Sequence, residues 1–145
     1  MENKYTIHTD GGSRGNPGLA AIGVVIEGVG MEKKEYGERI GVATNNDAEY
    51  KAVIFALKKM KLLIGSSASK KACITVLMDS ELIVKQLNYQ YKVREENMQK
   101  LFIEVHNLRL DFGKIEFKHV LRGKNEDADR MVNRALDGES YGLDL

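Results

Sequence analysis

The feature that most constrains this chain is a change of hydrophobic period near residue 44. Before it, three strand-length stretches follow one another with only short, glycine-rich connections between them. Lys4 to Asp10 alternates, with Tyr5, Ile7 and Thr9 on one face and Thr6, His8 and Asp10 on the other. Gly11-Gly12-Ser13-Arg14-Gly15-Asn16-Pro17-Gly18 reads as a turn, and Leu19 to Ile26 as an almost wholly apolar strand. Gly28 to Gly30 makes the next turn, before a more exposed, charged strand from Met31 to Ile40. Strands so closely spaced predict an antiparallel meander.

After the change, helices and strands alternate. Thr44 to Asp47 has the Thr-x-x-Asp form of a helix start, and the helix is expected to run to about Ile64, with Gly65 to Ser69 breaking it. Ala72 to Met78 reads as a buried strand, Ser80 to Asn88 as a short helix and Glu95 to Phe112 as a longer one. In that longer helix Met98, Leu101, Phe102, Val105, Leu108 and Phe112 keep the 3.6 period. Lys114 to Leu121 alternates as a fifth strand, and Asn125 caps a last helix through about Leu136. The order β-β-β-α-β-α-α-β-α predicts an α/β fold, a mixed five-stranded sheet with helices on both faces.

At 145 residues, without an internal repeat or linker, the chain suits one domain, drawn as 1–138 with a short polar, frayed tail at 139–145. Its apolar stretches are far short of the roughly 20 residues a membrane span needs, and no signal pattern opens the sequence. The single cysteine, Cys73, points to a reducing, cytoplasmic setting, and a monomer is expected. A net charge of +1 lacks the usual basic footprint of a nucleic-acid binder, although acids gathered in one site would cancel bases elsewhere.

Four carboxylates occupy telling places. Asp10 ends the first strand and Asp79 the fourth; as parallel neighbours, those strands would bring both acids to adjacent carboxyl ends, where open α/β sheets bind ligands. Glu49, in the first turn of the first helix, shares the inward stripe of Ala52 or Val53, Ala56 and Met60. Asp129 lies in line with Val132 and Leu136 on the last helix. Each acid alone has a plain explanation as a cap or a partner of a helix dipole. Four converging without compensating cations would repel one another unless a metal neutralised them. Hard oxygen donors, with no Cys or His cluster, suit Mg²⁺ or Mn²⁺.

These residues resemble ribonuclease H of type 1, in its stand-alone form, over about Lys4 to Asp137. The signatures are Thr9-Asp10-Gly11 with Asn16-Pro17-Gly18, Thr44-Asn45-Asn46 with Glu49, Asp79-Ser80 after an apolar strand, and Asn125-Glu126-Asp127-Ala128-Asp129. Any one is weak; four in order are specific. The resemblance implies an endonuclease that cuts the RNA strand of RNA–DNA hybrids with two ions of Mg²⁺ or Mn²⁺, leaving 5′-phosphate and 3′-hydroxyl ends. Asp10, Glu49, Asp79 and Asp129 would be the metal ligands, Asp10 bridging. The amides of Gly11, Gly12 and Ser13, with the side chains of Asn16, Asn45 and Asn46, would read the 2′-hydroxyl, and Thr44 a phosphate of the DNA strand. Double-stranded RNA would partly satisfy the same edge.

Some features depart from that family. The loop Arg122-Gly123-Lys124 has no histidine where many members carry one, and Arg122 is the candidate substitute by position and charge. His119 is expected to be a core residue, sharing a strand face with Ile115, Phe117 and Leu121; His8 is read as packing and His106 as structural. Where members with strong hybrid affinity carry a basic, tryptophan-bearing protrusion, this chain has only Tyr89-Gln90-Tyr91-Lys92-Val93-Arg94 and no tryptophan, which predicts weaker, more salt-sensitive binding. Glu81 replaces a frequent glutamine, either facing the RNA strand or turned to solvent. Two rival readings are a DNA-acting integrase, transposase or resolvase domain on the same scaffold, and a non-catalytic binding module. The Asn-Pro-Gly turn, the asparagine pair and the stand-alone length weigh against the first. Retention of all four acids weighs against the second.

Overall fold

The computed structural model describes residues 3–138, so the tail expected at 139–145 lies outside the described residues. The elements are β1 (Lys4–Gly15), β2 (Gly18–Gly28), β3 (Met31–Ala43), α1 (Asn45–Ser69), β4 (Cys73–Met78), α2 (Glu81–Leu87), α3 (Glu96–Arg109), β5 (Lys114–His119) and α4 (Glu126–Leu136). A single 3-10 turn, Arg122–Lys124, precedes α4. The five strands form one sheet in the order β3-β2-β1-β4-β5. β1, β2 and β3 pair antiparallel as the expected meander, while β4 joins β1, and β5 joins β4, in parallel.

Period-two alternation sends the residues of β2 to opposite layers. Val24 and Ile26 enter the main core with Ile7, Tyr50, Val53, Leu57, Met60 and Val76. Ala21 packs on the opposite face against Val132 and Ala135 of α4. Helices therefore cover both faces of the sheet, as the sequence predicts. α4 can lie close because Gly23 has no side chain; a Cβ there would fall 2.1 Å from the carbonyl oxygen of Ala128. α3 buries Met98 and Val105, one face of its period. Among the described residues no helix is long and apolar enough to cross a membrane.

Several expectations are corrected. The glycine-rich stretch after Asp10 is mostly strand: β1 continues to Gly15, pairing Gly11 with Ile22, Gly12 with Ala21 and Arg14 with Leu19. Glycine lowers strand propensity, but the apolar partner strand supplies the ladder and overrides it. α1 breaks at Gly65 as expected, where φ is 84° and the backbone leaves helical geometry, but the residues after it resume a helical turn to Ser69 instead of a loop. Asn125 sits at the start of α4 without a side-chain capping bond. His119 is exposed rather than core, because it closes β5 where the packed layer ends. His106 is exposed on α3 and His8 is half-buried. Cys73 opens its strand on an exposed face.

Candidate active site

Parallel pairing of β1 with β4 runs from Lys4 opposite Cys73 to His8 opposite Leu77. Asp10 lies just beyond that pairing and Asp79 directly follows the end of β4, so the two acids meet at neighbouring carboxyl ends. α1 starts above them. Thr44 caps it, its hydroxyl accepting from the amide of Asp47 at 3.1 Å. Glu49 falls in the second turn of α1, not the first, and is buried facing β1. The amide of Gly11 donates to Glu49 Oε1 at 2.9 Å. Carboxylate oxygens of Asp10, Glu49 and Asp79 lie within 4.8 Å of one another. Asp129, in the first turn of α4, reaches the carboxyl of Asp10 as a hydrogen-bond and charge neighbour.

Burial and repulsion act together on this cluster. The Asp10 carboxyl is pushed up to about 8, first by burial, then by the charge of Asp79 and by the hydrogen bond and charge of Asp129; the Gly11 amide opposes them. Glu49 is held well above the carboxylate range by burial, then by Asp10 and Asp79, against the Gly11 amide and the Arg122 guanidinium. Anions this crowded and desolvated call for a cation. The donors are all hard oxygens, and the residues present fit Mg²⁺ or Mn²⁺.

A cleft of about 440 Å³ opens over the acids. Its lining includes all four carboxylates with Gly11, Gly12, Ser13, Asn45 and Arg122. Asn16, Thr44 and Asn46 stand outside that lining. Asn16 is joined to it: its Oδ1 accepts from the Asn45 amide at 2.9 Å, and Asn45 Oδ1 accepts from the amide of Ser13 at 2.9 Å. The amides of Gly11 and Ser13 are therefore engaged within the protein. Arg122 stands on the 3-10 turn, close enough to act on the charge of Glu49. Glu81 pairs with Lys85 at 3.7 Å one helical turn on and is 62% exposed, so it turns along α2 rather than into the cleft.

Val132 and Leu136, in line with Asp129, also line the cleft, and so do Arg14 and Asn133, which sequence reasoning passed over. Asn133 Nδ2 donates to the carbonyl of Asp129 at 3.1 Å and reaches its Oδ2 at 3.5 Å. The signal was present in the spacing, since Asn133 is four residues beyond Asp129 on a helix and Arg14 four beyond Asp10 on a strand. Asn125 carries a further link: its Nδ2 donates to the carbonyl of Thr9 at 2.9 Å, and its own carbonyl accepts from the Asp129 amide at 3.1 Å.

Known proteins resemble this chain in fold and sequence. A family model described as RNase H matches residues 2–137. The bifunctional protein Rv2228c of Mycobacterium tuberculosis is 38% identical over 136 residues, covering 92% of this chain but only 36% of that protein's length. RNase H1 from the halophilic archaeon Halobacterium salinarum NRC-1 superposes with a TM-score of 0.85 at 34% identity, covering 94% of this chain and 99% of that one. LC11-RNase H1, solved in complex with an RNA/DNA hybrid, superposes with a TM-score of 0.84 at 39% identity, covering 92% of this chain and 97% of its own.

Proposed function

The chain belongs to the RNase H family, and from that premise we propose that it hydrolyses the RNA strand of RNA–DNA hybrids. The observation that carries the proposal is the meeting of buried Asp10 and Glu49 with half-buried Asp79, with oxygens within 4.8 Å, in the cleft lined by Gly11–Ser13. Residues 1–138 form the catalytic unit, acting as a monomer in the cytoplasm, where reducing conditions suit the exposed Cys73.

When bound, divalent ions, which we take to be two, would supply positive charge to both sides of an in-line displacement at phosphorus. Asp10, Glu49, Asp79 and Asp129 are the residues that would hold them. In the reaction a water oxygen bonds to phosphorus and gives up a proton, while the bond to the ribose 3′-oxygen breaks. That oxygen takes a proton and leaves as a 3′-hydroxyl, so the phosphate stays on the 5′-oxygen of the downstream fragment. Arg122 adds fixed positive charge on the loop beside Glu49, in the place where many relatives carry a histidine.

Recognition of RNA rests on the 2′-hydroxyl, both donor and acceptor. With the amides of Gly11 and Ser13 already donating to Glu49 and Asn45, that group is read by the Glu49 carboxylate, by the Gly12 backbone and by the side chains of Asn45 and Asn46, with Asn16 bracing the Asn45 amide. Thr44 spends an acceptor site on Asp47, which leaves its hydroxyl proton for a DNA-strand phosphate.

The test is cleavage of an end-labelled hybrid with Mg²⁺ or Mn²⁺, beside Asp10→Asn, single-stranded RNA, double-stranded RNA and duplex DNA. Metal-dependent cutting of the hybrid's RNA strand, lost in Asp10→Asn, with 5′-phosphate products, is expected. A pure protein that binds the hybrid but never cuts it with either metal would make this a binding module.

A further inference from the structure

We propose that Arg14 is a substrate-binding residue that grips a phosphate of the RNA strand flanking the one to be cut. Resting on the hybrid reading above, the inference starts from the period of β1. Residues 10, 12 and 14 share one face of that strand, and the ladder to β2 is unbroken through this stretch, with Asp10 opposite Gly23, Gly12 opposite Ala21 and Arg14 opposite Leu19. Gly12 puts no side chain between the two charged neighbours. A Cβ there would meet only Val132 Cγ1, at an ordinary 3.6 Å, so the floor from Asp10 to Arg14 is open and bounded by α4.

Four residues of strand span about 13 Å. That is too far for Arg14 to share the phosphate held at Asp10, and places it on the same backbone further along. Electrostatics point the same way. The cleft gathers four carboxylates, yet its substrate is a polyanion, and the cations among its described lining residues are Arg14 and Arg122. They stand on separate elements, the hairpin arm and the turn before α4.

Arg14 is neither loose nor used up. Its NH2 donates to Asp137 Oδ1 at 2.7 Å beyond the end of α4, which holds the side chain across the cleft while it stays 52% exposed. A guanidinium has five donors, and that contact takes one. Bidentate phosphate binding by the remaining fork is the chemistry for which arginine is suited and lysine less so.

The experiment is steady-state cleavage of a hybrid by the full chain as a function of KCl, for wild type, Arg14→Ala, Arg14→Lys and Asp137→Asn, with melting curves for each. Loss of one phosphate contact predicts that Arg14→Ala raises KM about 5–10-fold with kcat nearly unchanged, and makes the slope of log affinity against log salt shallower by about 0.7–0.9. Arg14→Lys should recover most of the slope. Asp137→Asn, which breaks the bridge but keeps the cation, should not raise KM. If Arg14→Ala leaves KM and slope as in wild type, or if Asp137→Asn reproduces its loss together with a matching fall in Tm, the arginine is a structural anchor and the inference is overturned. A wild-type protein that cannot cut the hybrid at all overturns the underlying reading, and this inference with it.

Discussion

The amide of Gly11 and the carboxylate of Glu49 are joined by a 2.9 Å hydrogen bond between β1 and α1, elements 38 residues apart in sequence. The contact exists because Gly11 has no side chain: a Cβ there would lie 2.3 Å from both the carbonyl carbon and oxygen of Ala48. Gly11→Ala must push the helix off the strand and carry Glu49 away from Asp10. Overpacking of this kind costs about 1–3 kcal/mol, and a shift near 1 Å in a catalytic group can cost about 100-fold in rate. Both a lower Tm and a collapse of hybrid cleavage are expected, and an alanine variant with wild-type turnover would show that Glu49 needs no such placement.

A second prediction concerns the metal-free protein. The folded chain keeps the Asp10 proton up to about pH 8, whereas an unfolded one releases it near 3.8. Between those values the folded state binds more protons, so this group's contribution makes stability fall as pH rises through the window. Glu49, shifted in the same direction, reinforces the trend. In EDTA, wild type should lose Tm relative to Asp10→Asn between pH 5 and 8, with the variant the more stable at the upper end. Mg²⁺ should raise the Tm of wild type more at pH 8 than at pH 5, because binding needs the deprotonated oxygens. Differential scanning fluorimetry with and without Mg²⁺ reads both effects; identical pH profiles for the two proteins would contradict the assignment of Asp10.

Much of this arrangement was legible in the sequence. Alternation exposed the strands, the shift to a 3.6 period exposed the helices, and acids at strand ends and on inward stripes exposed the cluster. What stayed hidden depends on partners distant in the chain. Gly11 to Gly15 look like a turn until β2 is seen pairing with them. His119 follows the core alternation of Ile115 and Phe117, but lies where the layer above it has ended. Asn125 looks like a cap by residue type, yet its amide is spent on Thr9 of β1, which no local pattern announces. Arg14 keeps step with Asp10, but an exposed arginine in a hairpin carries no signal until α4 closes the cleft beside it.

Asn125 therefore supports a third prediction. Its side chain holds the residue before Asp10 and its backbone holds the amide of Asp129, so one 1%-exposed residue links the strand and helix that carry two of the acids. Asn125→Ala leaves the Thr9 carbonyl short of a donor, at a cost of about 1–3 kcal/mol. Because the separation of Asp10 and Asp129 is then free to change, metal affinity should weaken along with the rate. Isothermal titration with Mn²⁺, run beside hybrid cleavage, distinguishes this from simple destabilisation: a variant with lowered Tm but unchanged Mn²⁺ affinity would confine Asn125 to the fold.

The last prediction concerns the wall behind Glu49. Tyr50, fully buried in α1, donates its hydroxyl to Gln86 Oε1 of α2 at 2.6 Å, and Gln86 Nε2 in turn donates to the carbonyl of Lys92 at 3.4 Å. Burial pushes the Tyr50 hydroxyl up, so it stays a neutral donor at any working pH. Tyr50→Phe strands a buried amide oxygen and should cost about 1–3 kcal/mol, or roughly 2–4 °C of Tm for each kcal/mol in a chain of this size. Gln86→Leu strands the tyrosine hydroxyl instead and also frees the loop before α3. In the double variant neither partner is left unsatisfied, so its loss should be smaller than the sum of the two singles, with a coupling of about 0.5–3 kcal/mol. Urea unfolding of all four proteins measures that coupling directly. Strict additivity would mean that the bond does not hold α1 against α2, and that the placement of Glu49 depends on the Gly11 contact alone.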